Sequence, residues 1–265
     1  MSMTYKALKI DQKGPVWRVA LNRPEVRNAH DLATFKELVS AFDEAESDPD
    51  CRCIVLAAEG PVFCAGQDLG FTRSASGRDR DEYGKWNVAA RQKIQRNAKP
   101  VVAAVNGPAI GGGVYLATAC DLVVAADTAF FQMGEIHAGN HGGGSHLFTI
   151  GRARSLELAL LGRRISAKTA LEWGLINKCV PLADLQSEVD DYVNALVELP
   201  PLALRYTKAA ANLQLDMAGF SSLLDAGAAM QRYLGVTPDG IEAKRAFKEK
   251  RKPRFSGVLP EPPEP

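Results

Sequence analysis

Short, wholly apolar runs recur along the chain with helical patterns between them, and that alternation restricts the fold more than any other feature. Cys53-Ile54-Val55-Leu56, Val101-Val102-Ala103-Ala104-Val105 and Leu122-Val123-Val124-Ala125 read as buried strands. Leu32, Phe35, Leu38, Val39 and Phe42 recur at helical spacing ahead of the first, up to the stop at Asp48-Pro49-Asp50. A second helix, around residues 89–98, leads through Lys99-Pro100 into the next strand. Two extended segments at residues 5–10 and 16–21 bracket Gly14-Pro15 in the manner of a hairpin. Strands alternating with helices imply α/β layers with parallel strands. The pattern turns helical from about Ser155, and from Leu185 it offers three amphipathic stretches without strands. Residues 72–83, TRSASGRDRDEY, read as a mobile polar surface loop, and residues 260–265 as a disordered tail.

Two glycine-bearing turns follow strand-like runs directly. They are Phe63-Cys64-Ala65-Gly66-Gln67-Asp68-Leu69 and Asn106-Gly107-Pro108-Ala109-Ile110-Gly111-Gly112-Gly113. Glycine lets backbone approach a ligand at positive φ, so two such turns can aim amide N–H groups at a single oxygen. A helix starting at the triple glycine adds a dipole that favours negative charge there. Neither turn is a dinucleotide fingerprint or a P-loop, and the chain has no Gly-x-Ser-x-Gly elbow.

The balance of 32 Lys and Arg against 31 Asp and Glu leaves a net charge of +1, which argues against nucleic acid and anionic membranes as partners. No apolar run approaches the roughly 20 residues of a membrane span. The charged first residues lack a secretory apolar core, so a cytoplasmic protein is expected. Five cysteines in such a chain read as reduced thiols rather than disulfides or a metal site.

The two turns, together with Leu21-Asn22-Arg23-Pro24-Glu25-Val26-Arg27-Asn28-Ala29, Ala119-Cys120-Asp121-Leu122, Gly134-Glu135-Ile136, Gly162-Arg163-Arg164-Ile165-Ser166-Ala167 and Gly174-Leu175-Ile176, form a set that resembles the enoyl-CoA hydratase/isomerase, or crotonase, superfamily. The resemblance extends to Phe247-Lys248-Glu249-Lys250-Arg251. It implies an α/β fold, a spiral of ββα units over residues 1–199, followed by a C-terminal helical oligomerisation region at 200–265. It also implies an acyl-CoA thioester substrate, no cofactor or metal, and assembly into a homotrimer or hexamer.

By the same resemblance, the backbone N–H groups of Gln67 and Gly112 bind the thioester oxygen, where an enolate or tetrahedral intermediate concentrates charge. Ala65, Asp68 and Gly111 fall at the substrate, and Arg27, Ala29 and Lys250 match positions near CoA. Of the two glutamates that flank the reacting carbons in hydratases, Glu135 matches one; the other position holds Tyr115. A tyrosine, with an ordinary pKa of about 10, is a poor base near neutrality but can orient a water or substrate. The remaining carboxylate suffices to carry a proton between two carbons, so double-bond migration or hydration of an enoyl-CoA is the expected chemistry. Decarboxylation, hydrolysis, lyase cleavage and non-catalytic acyl-CoA binding are the alternatives. His137, His141 and His146 crowd a stretch that also departs from the family pattern. His141 is expected to face the pocket as a proton donor or hydrogen-bonding partner.

Overall fold

The computed structural model describes residues 5–142 and 146–257; the expected tail at 260–265 lies outside the described residues. β1 (Leu8–Lys13) and β2 (Val16–Leu21) form the antiparallel hairpin, and helix α1 (Leu32–Ser47) follows. β3 (Cys53–Ala58), β4 (Val101–Val105), β6 (Leu122–Ala126) and β9 (Lys178–Val180) extend the sheet in parallel from β2, in the order β1-β2-β3-β4-β6-β9. Every residue of β3 and β4 is buried, as expected of parallel strands covered on both faces.

Alternation along the strands separates two cores. Val19, Leu21, Ile54, Leu56, Val101, Ala103 and Val123 face Phe35, Leu38 and Phe42 of α1. Ala20, Val55, Ala57, Val102, Ala104 and Val124 face Leu185, Val189 and Val193 of α7 (Leu185–Val197). A smaller sheet joins β5 (Ala109–Ile110), β7 (Phe130–Gln132) and β8 (Arg164–Ser166) in the order β5-β7-β8. Helix α4 (Gly112–Thr118) leaves β5 at the triple glycine, while α5 (Leu147–Leu161) and α6 (Ala167–Trp173) flank β8. The chain ends in α8 (Pro201–Met217), α9 (Phe220–Leu234) and α10 (Pro238–Lys248).

Two expectations need correction. The polar stretch at 72–83 is helical: α2 (Leu69–Ser74) gives way at Ala75-Ser76 to α3 (Gly77–Arg96). Ser76 and Asp79 make a reciprocal capping box, and Arg78–Glu82 and Lys85–Asp81 add ion pairs one turn apart, so a polar composition here supports a helix start. The region after Ser155 also contains β8 and β9, three-residue strands whose pairing with β7 and β6 supplies what their length does not.

Candidate active site

Three segments run side by side beneath the site. His30 N–H donates to Gly66 O (2.8 Å) and Asp68 N–H donates to His30 O (2.9 Å), so His30 pairs with Gln67 as in a parallel ladder. Cys64 N–H donates to Pro108 O (3.2 Å) and Ile110 N–H to Cys64 O (2.9 Å), which joins the first glycine turn to β5. In extended backbone successive N–H groups point to opposite edges. With Asp68 N–H committed to the His30 edge, Gln67 N–H points to the other, where the second turn lies. Neither Gln67 N–H nor Gly112 N–H donates to a backbone acceptor among the described residues.

Gly66 adopts φ +88°, and a Cβ there would stand 2.9 Å from Ile110 O and 3.6 Å from Gly112 N. The two turns are therefore in van der Waals contact. At Gly112 a Cβ would fall 2.0 Å from His30 Nε2. His30 is fully buried; the Tyr83 hydroxyl meets its Nδ1 at 3.0 Å, and Nε2 has no hydrogen-bond partner among the described residues. Burial lowers its pKa to about 4, so the imidazole is neutral at physiological pH.

Glu135 stands on a 3-10 turn, Gly134–Ala138, that follows β7. A Cβ on Gly111 would lie 3.1 Å from its Oε1. Its Oε2 is closed off from solvent and has no hydrogen-bond partner among the described residues. Desolvation raises this carboxyl to about pKa 7, against smaller opposing contributions from its own backbone amide and the Arg91 guanidinium. A carboxyl poised near neutrality beside two unengaged amides can both take up and release a proton.

Comparison with known proteins fits this geometry. The profile of the enoyl-CoA hydratase/isomerase family matches residues 11–258. An enoyl-CoA hydratase from Mycobacterium avium subsp. paratuberculosis K-10 is 30% identical, with 96% of this chain and 100% of that one covered, at a TM-score of 0.85. An enoyl-CoA hydratase/isomerase from Pseudoalteromonas atlantica T6c reaches 0.85 at 26% identity over 95% and 100%. A carnitinyl-CoA hydratase from Mycobacterium avium reaches 0.83 at 29% identity over 96% and 100%. The chain belongs to the enoyl-CoA hydratase/isomerase family. Its fold is the crotonase fold with a helical C-terminal region.

Within this crotonase frame the other expected residues take distinct places. Tyr115 lies on α4, and its hydroxyl donates to Gly142 O at 2.5 Å. Burial raises its pKa, reinforced by Glu135. Its proton is thus engaged by backbone, leaving lone pairs for an incoming donor. The His146 ring stacks on Tyr115 with centroids 5.2 Å apart. The Thr118 hydroxyl donates to Val114 O (2.9 Å), so His146 Nε2–H donates to Thr118 Oγ1 (3.1 Å). His141 donates from Nε2 to Gly227 O on α9 (2.7 Å), and His137 from Nε2 to Gly162 O (3.3 Å). The histidine stacked on the Tyr115 ring is His146.

The Asp68 carboxylate is engaged by the protein. It caps α2 through Gly70 N–H (2.7 Å) and Phe71 N–H (3.3 Å), and it accepts from Arg23 Nη2 (2.8 Å). Arg23 also donates to Ala29 O (2.7 Å), fastening the residues ahead of His30 to the first turn. Ala65 N–H donates to Arg27 O (3.1 Å), while the Arg27 side chain is exposed, as is Lys250. After α10, buried Glu242 accepts from Arg251, from Arg245 and from Arg254 N–H. No helix among the described residues is long and apolar enough to cross a membrane.

Sequence reasoning missed His30, Tyr83, Arg23 and Arg91. His30 sits inside the Asn28-Ala29-His30-Asp31 segment of the first motif, and a histidine next to a recognised motif was the available signal. Arg91 carried none, since it falls within an ordinary charged helix.

Proposed function

We propose that this protein acts on an enoyl-CoA through an enolate, with double-bond migration favoured over water addition. In this reading Gln67 and Gly112 N–H groups polarise the thioester carbonyl, and Glu135 removes a proton from one carbon of the acyl chain and returns it to another. The observation that carries the reading is the Glu135 carboxyl itself: shielded, without a hydrogen-bond partner on Oε2 among the described residues, and beside the two interlocked glycine turns. Tyr115 supports migration over hydration, because its hydroxyl proton goes to Gly142 O and its raised pKa makes it no base for water. Exposed Arg27 and Lys250 are suited to the phosphates of CoA, and the reaction needs no cofactor beyond the CoA of the substrate.

The exposed apolar side chains of the C-terminal helices, among them Leu202, Tyr206, Leu213, Met217 and Phe247, support self-association of residues 200–265 into a trimer or a dimer of trimers.

The test is turnover of a panel of enoyl-CoAs with separate detection of hydrated and isomerised products. Silence across the panel rejects the reading. Because the ionised carboxylate is the form that abstracts a proton, kcat/KM for migration is expected to rise as pH increases through about 7 and to level off above it. A flat profile between about pH 5.5 and 8.5 removes Glu135 from that role. Tyr115→Glu, which adds a second carboxylate, is expected to raise hydration by roughly tenfold or more. No gain would show that more than the missing carboxylate limits water addition.

A further inference from the structure

Helix α3 delivers one cation to the residues around Glu135. The Arg91 guanidinium carbon lies 4.2 Å from the centre of the Tyr115 ring. Its charge is felt at Glu135, at Tyr115 and at His146. Arg78, Lys85, Lys93 and Arg96 of the same helix each have a carboxylate partner, from Glu82, Asp81, Asp43 with Glu46, and Asp216 respectively, and Arg80 donates to Thr72 O (3.2 Å). Arg91 is half-buried and has no carboxylate partner among the described residues.

Its neighbours supply little compensating charge. The Tyr115 phenol is held neutral by burial, the His146 imidazole is neutral with its pKa lowered to about 4, and Glu135 is close to half-protonated near pH 7. A desolvated guanidinium left without an anion is costly, and its planar fork of donors matches a carboxylate. The guanidinium carbon lies over the Tyr115 ring, a contact that uses none of the guanidinium's N–H donors in a conventional hydrogen bond.

We propose that Arg91 receives a second carboxylate carried by the acyl group, so that the preferred substrate is the CoA monothioester of a dicarboxylic acid. This rests on the acyl-CoA reading of the same site and narrows it to an anionic acyl chain. Arg91 acts here as a specificity-determining residue; the proton transfer stays with Glu135.

Calorimetric binding of matched saturated thioesters tests the proposal without requiring turnover. Butyryl-, pentanoyl- and hexanoyl-CoA are compared with succinyl-, glutaryl- and adipyl-CoA, which have the same carbon counts but end in carboxylate. For at least one pair the carboxylated member is expected to bind wild-type protein roughly 30-fold more tightly. Arg91→Met is expected to bring that ratio to about one, and Arg91→Lys, a point charge without the fork, to retain part of it. Thermal melts establish that the variants are folded. A ratio of about one for every pair in the wild type overturns the proposal and leaves the acyl-CoA reading standing, as does a ratio that Arg91→Met does not change. If no thioester of either kind binds, the acyl-CoA reading itself fails, and the proposal with it.

Discussion

Glu135→Gln is expected to lower turnover by about 10²–10⁴ while making the protein more stable above neutral pH. Both effects follow from one carboxyl in a poorly solvated position. Glutamine keeps the shape but takes no proton from carbon, so the rate falls. For stability, the carboxyl titrates near its ordinary 4.5 when the chain is unfolded and at about 7 when folded. The folded state therefore binds the proton more tightly. Between these values wild-type stability declines as pH rises, and above about 7 the full penalty of an ionised, shielded carboxylate is present. Glutamine carries no such penalty. At pH 8 the difference should amount to about 2 kcal/mol, or roughly 3–6 °C in melting temperature for a chain of this size. It should shrink toward pH 5. A gap that does not depend on pH would mean that Glu135 ionises freely in the folded protein.

The second large effect is expected at Gly112. Alanine there sets a methyl group 2.0 Å from His30 Nε2 and 2.7 Å from its Cε1. His30 is 1% exposed and bonded to Tyr83, so it has no room to swing aside. Gly112→Ala should displace the turn, removing one of the two proposed donors to the thioester oxygen, with a loss of about 10²–10³ in kcat and a destabilisation of roughly 1–3 kcal/mol from overpacking. The three nearest atoms to that methyl all belong to the His30 ring. Adding His30→Ala should therefore restore part of the stability, and the double variant should be more stable than the sum of the two single changes predicts. Strict additivity would show that the methyl is accommodated elsewhere.

The parts of the fold legible in the sequence were those where local pattern and tertiary environment agree. The runs in β3 and β4 read as buried parallel strands because layers cover both faces of the sheet. β8 and β9 escaped notice because three residues carry almost no periodicity, and partners distant in the chain define them. Residues 72–83 read as a loop on polar composition, although the spacing of Ser76 and Asp79 also marks a helix start.

The candidate site divides along the same line. Gly66, Gly111 and Gly112 announce a close backbone approach by residue type alone, and Glu135 was carried by its motif. His30 gains its meaning only when folding brings Gly112 against it, and Arg91 only when Tyr115 comes beneath it. Neither contact leaves a trace in local spacing.

Tyr83 and Arg91 sit eight residues apart on α3, roughly 12 Å of helical rise, one bonded to His30 beside the two glycine turns and the other lying over Tyr115. A single inserted or deleted residue between them would swing the downstream anchor by about 100° around the axis. Under the two proposals above, the helix would serve as a gauge block between the head and the tail of the acyl group. On that reading, adaptation to a new substrate would proceed by exchanging side chains along this interval, and changes of length would be tolerable only outside it.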